Sequence, residues 1–289
     1  MSIYIGNQNY TKAYIGDIQF NKIYIGDQLF YSSYIWDADA ISLINRMIAS
    51  GETPTAGRQI AINNCIISLK SNDLFAGQFD VLVVTRGHGP NSTKMNWIKN
   101  NHNALGVNSP TYTEDIGYNT DGSSSILRCQ YTPINDAVLF TLNDCCWGFK
   151  VGGSITTIGV PGGVSTGNDS YGNVSWYSDP GGAYVRLNAP WSSACPGVPY
   201  TIGYNMLSRT SSTALDAMVN DTSTHYSNNG YTVTPYLPAS EFYMLTWNHP
   251  YNLFPGTTEK FELYYFGKSM TQSKFLIFQT IMNTYFATF

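Results

Sequence analysis

The chain has 289 residues and a net charge of −4, and only 12% of it is charged, about half the usual share of roughly 25%. Its 43% apolar content excludes a disordered chain, and the absence of a basic block sets aside a nucleic-acid partner. Aromatics reach 15%, with 22 Tyr, which is the composition of a β-rich protein that meets water through Tyr, Asn, Ser and Thr.

No apolar run reaches the length of about 18 residues that spans a bilayer, so no membrane partner is expected. The opening MSIYIGNQNY lacks the basic and apolar regions of a secretory leader. The cysteines (Cys65, Cys129, Cys145, Cys146, Cys195) are odd in number and have no CxxC or Cys/His ligand spacing. They read as buried thiols of a protein made in a reducing cytoplasm, and no metal or other cofactor is expected.

Residues 1–36 are a repeat with a period of ten: IYIGNQNYTK, AYIGDIQFNK, IYIGDQLFYS, SYIWDADA. Tyr4, Tyr14, Tyr24 and Tyr34 fill one column and Ile5, Ile15, Ile25 and Ile35 the next, followed by Gly-Asp or Gly-Asn until Trp36. Alternating β-branched and aromatic residues broken by Gly-Asp predict short strands and tight turns, two strands per repeat. Strands this short cannot bury that much apolar surface alone. The Tyr and Ile columns are therefore expected to form an assembly interface.

Residues 37–75 change period. Asp37 or Asp39 caps a predicted helix with Ile41, Ile44, Met47 and Ile48 on one side, closed by Gly51. Thr53-Pro54 opens a second, with Ile60, Cys65, Ile66, Ile67 and Leu69 along a broad side and an end near Asn72. This pair reads as a helical hairpin linker. From residue 76 the predicted strands are QFDVLVVT, SILRCQYT, AVLFTLND, GAYVRLNA, YTIGYNML, AMVNDT, EFYMLTWN and EKFELYYFG, separated by polar turns. Residues 76–268 thus read as a two-sheet β-sandwich or jelly roll. A last helix from Thr271 to about Thr284 presents Phe275, Phe278, Ile281, Met282 and Tyr285. The predicted fold class is mainly β.

The YIGD decapeptides followed by Asp37-Ala38-Asp39-Ala40 resemble structural proteins of tailed bacteriophages of gut Bacteroidales. The likeness continues through Gln59-Ile60-Ala61-Ile62-Asn63, Leu69-Lys70 and the loop Ser92 to Asn100. The resemblance implies a concanavalin-type, lectin-like sandwich over 76–289 and a virion component of fibre, tail or neck, made in the host bacterial cytoplasm. It also implies other virion proteins as partners and a homotrimer.

No catalytic template is present among His88, His102, His225 and His249, and there is no HExxH, GxSxG or P-loop. Asp136, Asp144 and Glu241 are carboxylates that only the fold can bring together. The chain is therefore read as a non-enzyme, with a capsule depolymerase as a distant alternative. Host surface glycan is the alternative partner, because flat aromatics beside Asn and Asp suit sugars. The candidates are Asn168, Asp169, Tyr171, Asn173, Trp176 and Tyr177, then Trp191, Trp247, Asn248 and Tyr251.

Overall fold

The structure is a computed structural model. It describes residues 13–15, 18–20, 22–25, 28–32, 36–119, 121, 124–153, 160–166, 170–179, 182–190, 195–198, 200–224, 233–248 and 259–289, with backbone alone before residue 36 and at some strand ends. The chain divides into two compact units, Met1–Ala38 and Asp39–Phe289.

In the first unit β1 (Ala13–Ile15) and β2 (Ile18–Phe20) form one antiparallel hairpin, and β3 (Lys22–Ile25) and β4 (Gln28–Ser32) another. Ile15 pairs with Ile18 and Ile25 with Gln28, so each hairpin turns over two residues, at the Gly-Asp steps. Two-residue connections are the commonest in β-hairpins. The turn spacing follows the decapeptide period. Of the expected interface residues, Tyr14, Ile15, Tyr24 and Ile25 lie on these strands, while Tyr4, Ile5, Tyr34 and Ile35 fall outside the described residues.

The second unit has three layers. Helices α1 (Ala38–Ala49) and α2 (Ala56–Ser71) come first. Thr55 caps α2, its hydroxyl accepting from the Arg58 N–H, and Asn72 ends it. The buried stripe of α1 is Ala40, Leu43, Ile44 and Met47, whereas Ile41 and Ile48 are exposed. The expected stripe was centred too far round the helix: Ile41 and Ile48 share a face seven residues apart, but Leu43 and Met47 reach the sheet.

The first sheet runs β17 (Thr222–Thr224), β16 (Leu215–Val219), β15 (Gly203–Arg209), β10 (Cys145–Gly152), β20 (Lys260–Gly267), β8 (Gly117–Asn119), β7 (Thr111–Thr113). Strand β5 (Phe79–Val84) also pairs with β20. The second runs β14 (Cys195–Pro196), β13 (Gly182–Ala189), β12 (Asn173–Asp179), β11 (Gly162–Val164), β18 (Tyr243–Met244), β9 (Ile126–Arg128), β6 (Leu105–Val107), with β19 (Trp247–Asn248) parallel to β11. The two antiparallel sheets make the expected sandwich, with Trp147, Phe149, Trp176, Phe242, Phe261 and Phe266 between them.

The outer face of the first sheet is covered as well. Leu82, Val84, Tyr204, Met206 and Tyr265 pack against α1, α2 and the last helix, which we label α4 (Gln272–Phe286). This is why all six residues of β5 are buried: a strand covered on both faces reads as a continuous apolar run. The helix pair, expected as a linker, forms this third layer with α4. Gly148 on β10 makes room for it, since a Cβ there would lie 2.2 Å from Tyr265 Oη.

One strand expectation fails. AVLFTLND (residues 137–144) is irregular, and the strand after it starts at Cys145. The buried carboxylate of Asp80 explains why: it accepts from the N–H groups of Val138 (3.2 Å), Leu139 (3.0 Å) and Phe140 (3.0 Å), and from Tyr131 Oη (3.1 Å). Three consecutive amides wrapped on a carboxylate cannot also pair in a ladder. The segment becomes a fixed strap, preceded by the short helix α3 (Pro133–Asp136).

Candidate functional site

The strap forms one wall of a groove of about 470 Å³ at one end of the sandwich. Ile134, Phe140, Leu142 and Asn143 line this side, and Pro235, Tyr236 and Leu237 the other. Tyr236 is 54% exposed, the most open aromatic among the described large hydrophobic residues. Tyr171 packs on it with ring centroids 5.4 Å apart and planes at 35°. The two segments also form an isolated parallel bridge, in which Gly172 N–H donates to the Tyr236 carbonyl at 2.8 Å.

Asn188 joins the two walls. Its amide donates to the carbonyls of Thr141 (3.1 Å) and Leu142 (3.4 Å), and its own carbonyl accepts from the Thr234 N–H at 3.2 Å. Asn188 is fully buried with φ +53°, a left-handed conformation that Asn tolerates better than most residues. A further backbone bond from Ile134 N–H to the Pro238 carbonyl, at 3.1 Å, ties α3 to the second wall. The two walls of the groove are therefore held together by hydrogen bonds within the fold.

The expected glycan residues disperse. Asn168, Asp169, Trp191 and Tyr251 lie outside the described residues, and for Trp247 only the backbone is described. Trp176 is corrected: it is fully buried, edge-on to Phe149 at 5.6 Å, because its strand points it between the sheets. Tyr177, its neighbour on the strand, is half-buried. Asn173 is buried and its amide donates to the Ala189 carbonyl. Asn248 is half-buried and donates to the Glu241 carbonyl at 2.8 Å. Tyr171 packs on the exposed Tyr236, which is not among the expected residues. The signal for it lies in Thr234-Pro235-Tyr236-Leu237-Pro238, where flanking prolines hold an aromatic on an extended segment.

Each of the candidate carboxylates has a hydrogen-bond partner in the fold. Asp136 accepts from Thr132 N–H (2.7 Å), Asp144 from Ser269 N–H (3.0 Å), and Glu241 from Arg128 Nε (3.0 Å) and Gln130 N–H (2.7 Å). Glu262 is the extra residue of a β-bulge opposite Lys150 and Val151, and its carboxylate pairs with Lys150 and Arg86. Gly152 leaves space for that carboxylate. His88 lies in a loop held by Glu52, whose carboxylate accepts from the N–H groups of Asn91 (2.9 Å) and Ser92 (2.6 Å). Its imidazole touches the Glu52 carbonyl at 3.4 Å, and burial holds it below the ordinary imidazole value.

Cys65, Cys129, Cys145 and Cys146 are buried free thiols, and burial pushes each of them up. Among the described residues no cluster of three or more His, Cys, Asp or Glu could hold a metal ion, and no helix is long and apolar enough to cross a membrane. A second, polar groove of about 540 Å³ includes Lys70, Lys268, Lys274, Asp39 and Asp73. Lys70 is paired with Asp39 at 2.5 Å and Lys268 with Asp144 at 3.8 Å.

No protein-family model matches the sequence, and no curated protein matches it. Among solved structures, a mutant Trypanosoma rangeli sialidase displaying trans-sialidase activity is 9% identical with a TM-score of 0.45, covering 78% of this chain and 39% of its own. Domain 4 of an extracellular arabinanase from Geobacillus stearothermophilus, solved with arabinotriose, is 12% identical with a TM-score of 0.42, covering 68% of this chain and 98% of its own. The CBM40 of Ruminococcus gnavus IT-sialidase is 11% identical with a TM-score of 0.35, covering 47% and 82%. The chain thus spans 39% of the sialidase's length. Likenesses this distant assign neither fold nor function; the sandwich is read from the two sheets themselves.

Proposed function

We propose that the chain is a non-enzymatic recognition protein whose sandwich binds glycan in the groove at Tyr236. The observation that carries this reading is the aromatic pair: Tyr236 is 54% exposed and backed by Tyr171. A supported aromatic plane lets sugar CH faces stack, and the amide of exposed Asn143 in the same groove is placed to meet hydroxyls. A glycan array probed with the full chain and with Tyr236→Ala tests it. Binding that the variant loses supports the reading, and binding that it keeps removes it. Reducing ends released from bound polysaccharide would replace it with the hydrolase reading.

A second reading concerns the setting. The separate N-terminal unit, with a two-residue hairpin turn in each of the described decapeptides, supports an attachment arm. With the resemblance of its repeats to phage structural proteins, we place the chain in a tailed-phage virion assembled in the bacterial cytoplasm, as a fibre, tail or neck component and a homotrimer. Light scattering of the full chain against a chain beginning at Trp36 tests the trimer: the full chain is expected at three times its monomer mass, and the shortened chain below that.

A further inference from the structure

We infer that the groove at Tyr236 takes an uncharged pyranose and discriminates against acidic sugars. The inference deepens the glycan reading above and rests on it. Ile134, Leu142, Asn143, Pro235, Tyr236 and Leu237 on its walls carry no charge. The nearest charged positions along the strap are both acidic. Asp136 precedes the lining residue Ala137, and Asp144, 41% exposed, follows Asn143.

Arg209 does not line the groove, and its Nη2, though without a hydrogen-bond partner, is buried. Arg209 is fully buried, giving Nε to the Leu187 carbonyl at 2.8 Å and Nη1 to the Ser212 carbonyl at 3.2 Å. Lys268 is the cation near Asp144, at 3.8 Å. A sugar carboxylate entering the groove would lose water, and among the described lining residues it would gain no Arg or Lys partner. A neutral ring escapes that penalty. It needs an apolar plane and a few amide or hydroxyl partners, which Tyr236 and Asn143 supply.

The test uses the full chain on paired glycans that share a core and differ only in a neutral or a sialic- or uronic-acid terminus. The neutral member is expected to bind roughly tenfold or more tightly than its acidic partner, and Tyr236→Ala to lower that binding about tenfold. Asn143→Lys, at an exposed position, is expected to narrow the gap by recruiting the acidic member. Acidic glycans that bind as well as neutral ones, through a Tyr236-dependent site, would overturn this inference and leave the glycan reading standing. Absence of glycan binding, or binding indifferent to Tyr236→Ala, would overturn both.

Discussion

The side-chain amide of Asn188 donates to the backbone carbonyl of Thr141 at 3.1 Å, from a buried residue in the left-handed conformation. The same residue's carbonyl holds Thr234, so one asparagine fixes the spacing of both groove walls. Asn188→Gly keeps the φ angle but removes the amide, and is expected to cost about 1–3 kcal/mol. Asn188→Ala adds roughly 1–2 kcal/mol for the left-handed backbone. Urea unfolding of the two variants checks the order: alanine should be the less stable, and equal stabilities would remove the conformational part of the account.

Asp80 organises the strap from inside. Replacing it with Ala leaves the Val138, Leu139 and Phe140 N–H groups and the Tyr131 hydroxyl without their acceptor, and a loss of about 3 kcal/mol or more is expected. Amide exchange gives the finer readout. Protection at residues 138–140 should fall well before protection on β10; a uniform fall would mean that the strap has no separate anchor.

Trp176 and Tyr236 should separate stability from binding. Trp176→Ala empties space in the inter-sheet core and is expected to cost about 3–5 kcal/mol. Tyr236→Ala removes an exposed ring and should change stability by no more than about 0.5 kcal/mol. Thermal melts of both variants decide it, and a large loss at Tyr236 would make that ring a packing element.

Packing of α4 on the sheet depends on Gly148. Gly148→Ala drives a methyl into Tyr265 and is expected to cost about 1–3 kcal/mol. Tyr265→Phe should be neutral or slightly stabilising, because the buried hydroxyl has no hydrogen-bond partner. A marked loss in the phenylalanine variant would show that the hydroxyl is satisfied in solution.

His88 gives the pH dependence a sign. Burial lowers its folded-state pKa, so the unfolded chain binds the proton more readily. The stability that His88 contributes is then present above the unfolded value of about 6.5 and is lost as pH falls below it. The midpoint of unfolding should fall as the pH drops below about 6.5, and less so in His88→Asn. Identical slopes for the two proteins would place the effect on other groups.

The helices and the two-sheet sandwich were legible in sequence for plain reasons, though not the packing of the helix pair as a third layer. The decapeptide period marks the hairpin turns, Thr271 caps the helix it precedes, and the run Phe79–Val84 reads as buried because both of its faces are; the second helix, expected to open at Thr53-Pro54, begins at Ala56 behind Thr55. The strap was not legible. Residues 137–144 have the apolar content of a strand, and the carboxylate that unmakes it lies far away in sequence, at Asp80. The strand Cys145–Gly152 is not among the expected strands. Trp176 and Tyr236 show the limit for the site: local chemistry names an aromatic beside Asn or Pro, but which face a strand turns to the core is set by its partners.

The most direct test of the glycan groove is to locate a bound sugar on the full chain. Amide chemical-shift mapping by NMR during titration with a neutral glycan taken from the array should move Asn143, Tyr236 and Leu237 first, with shifts that saturate together. Shifts confined to the lysine-lined groove around Lys70 and Lys268, with Tyr236 and Leu237 unmoved, would contradict the account.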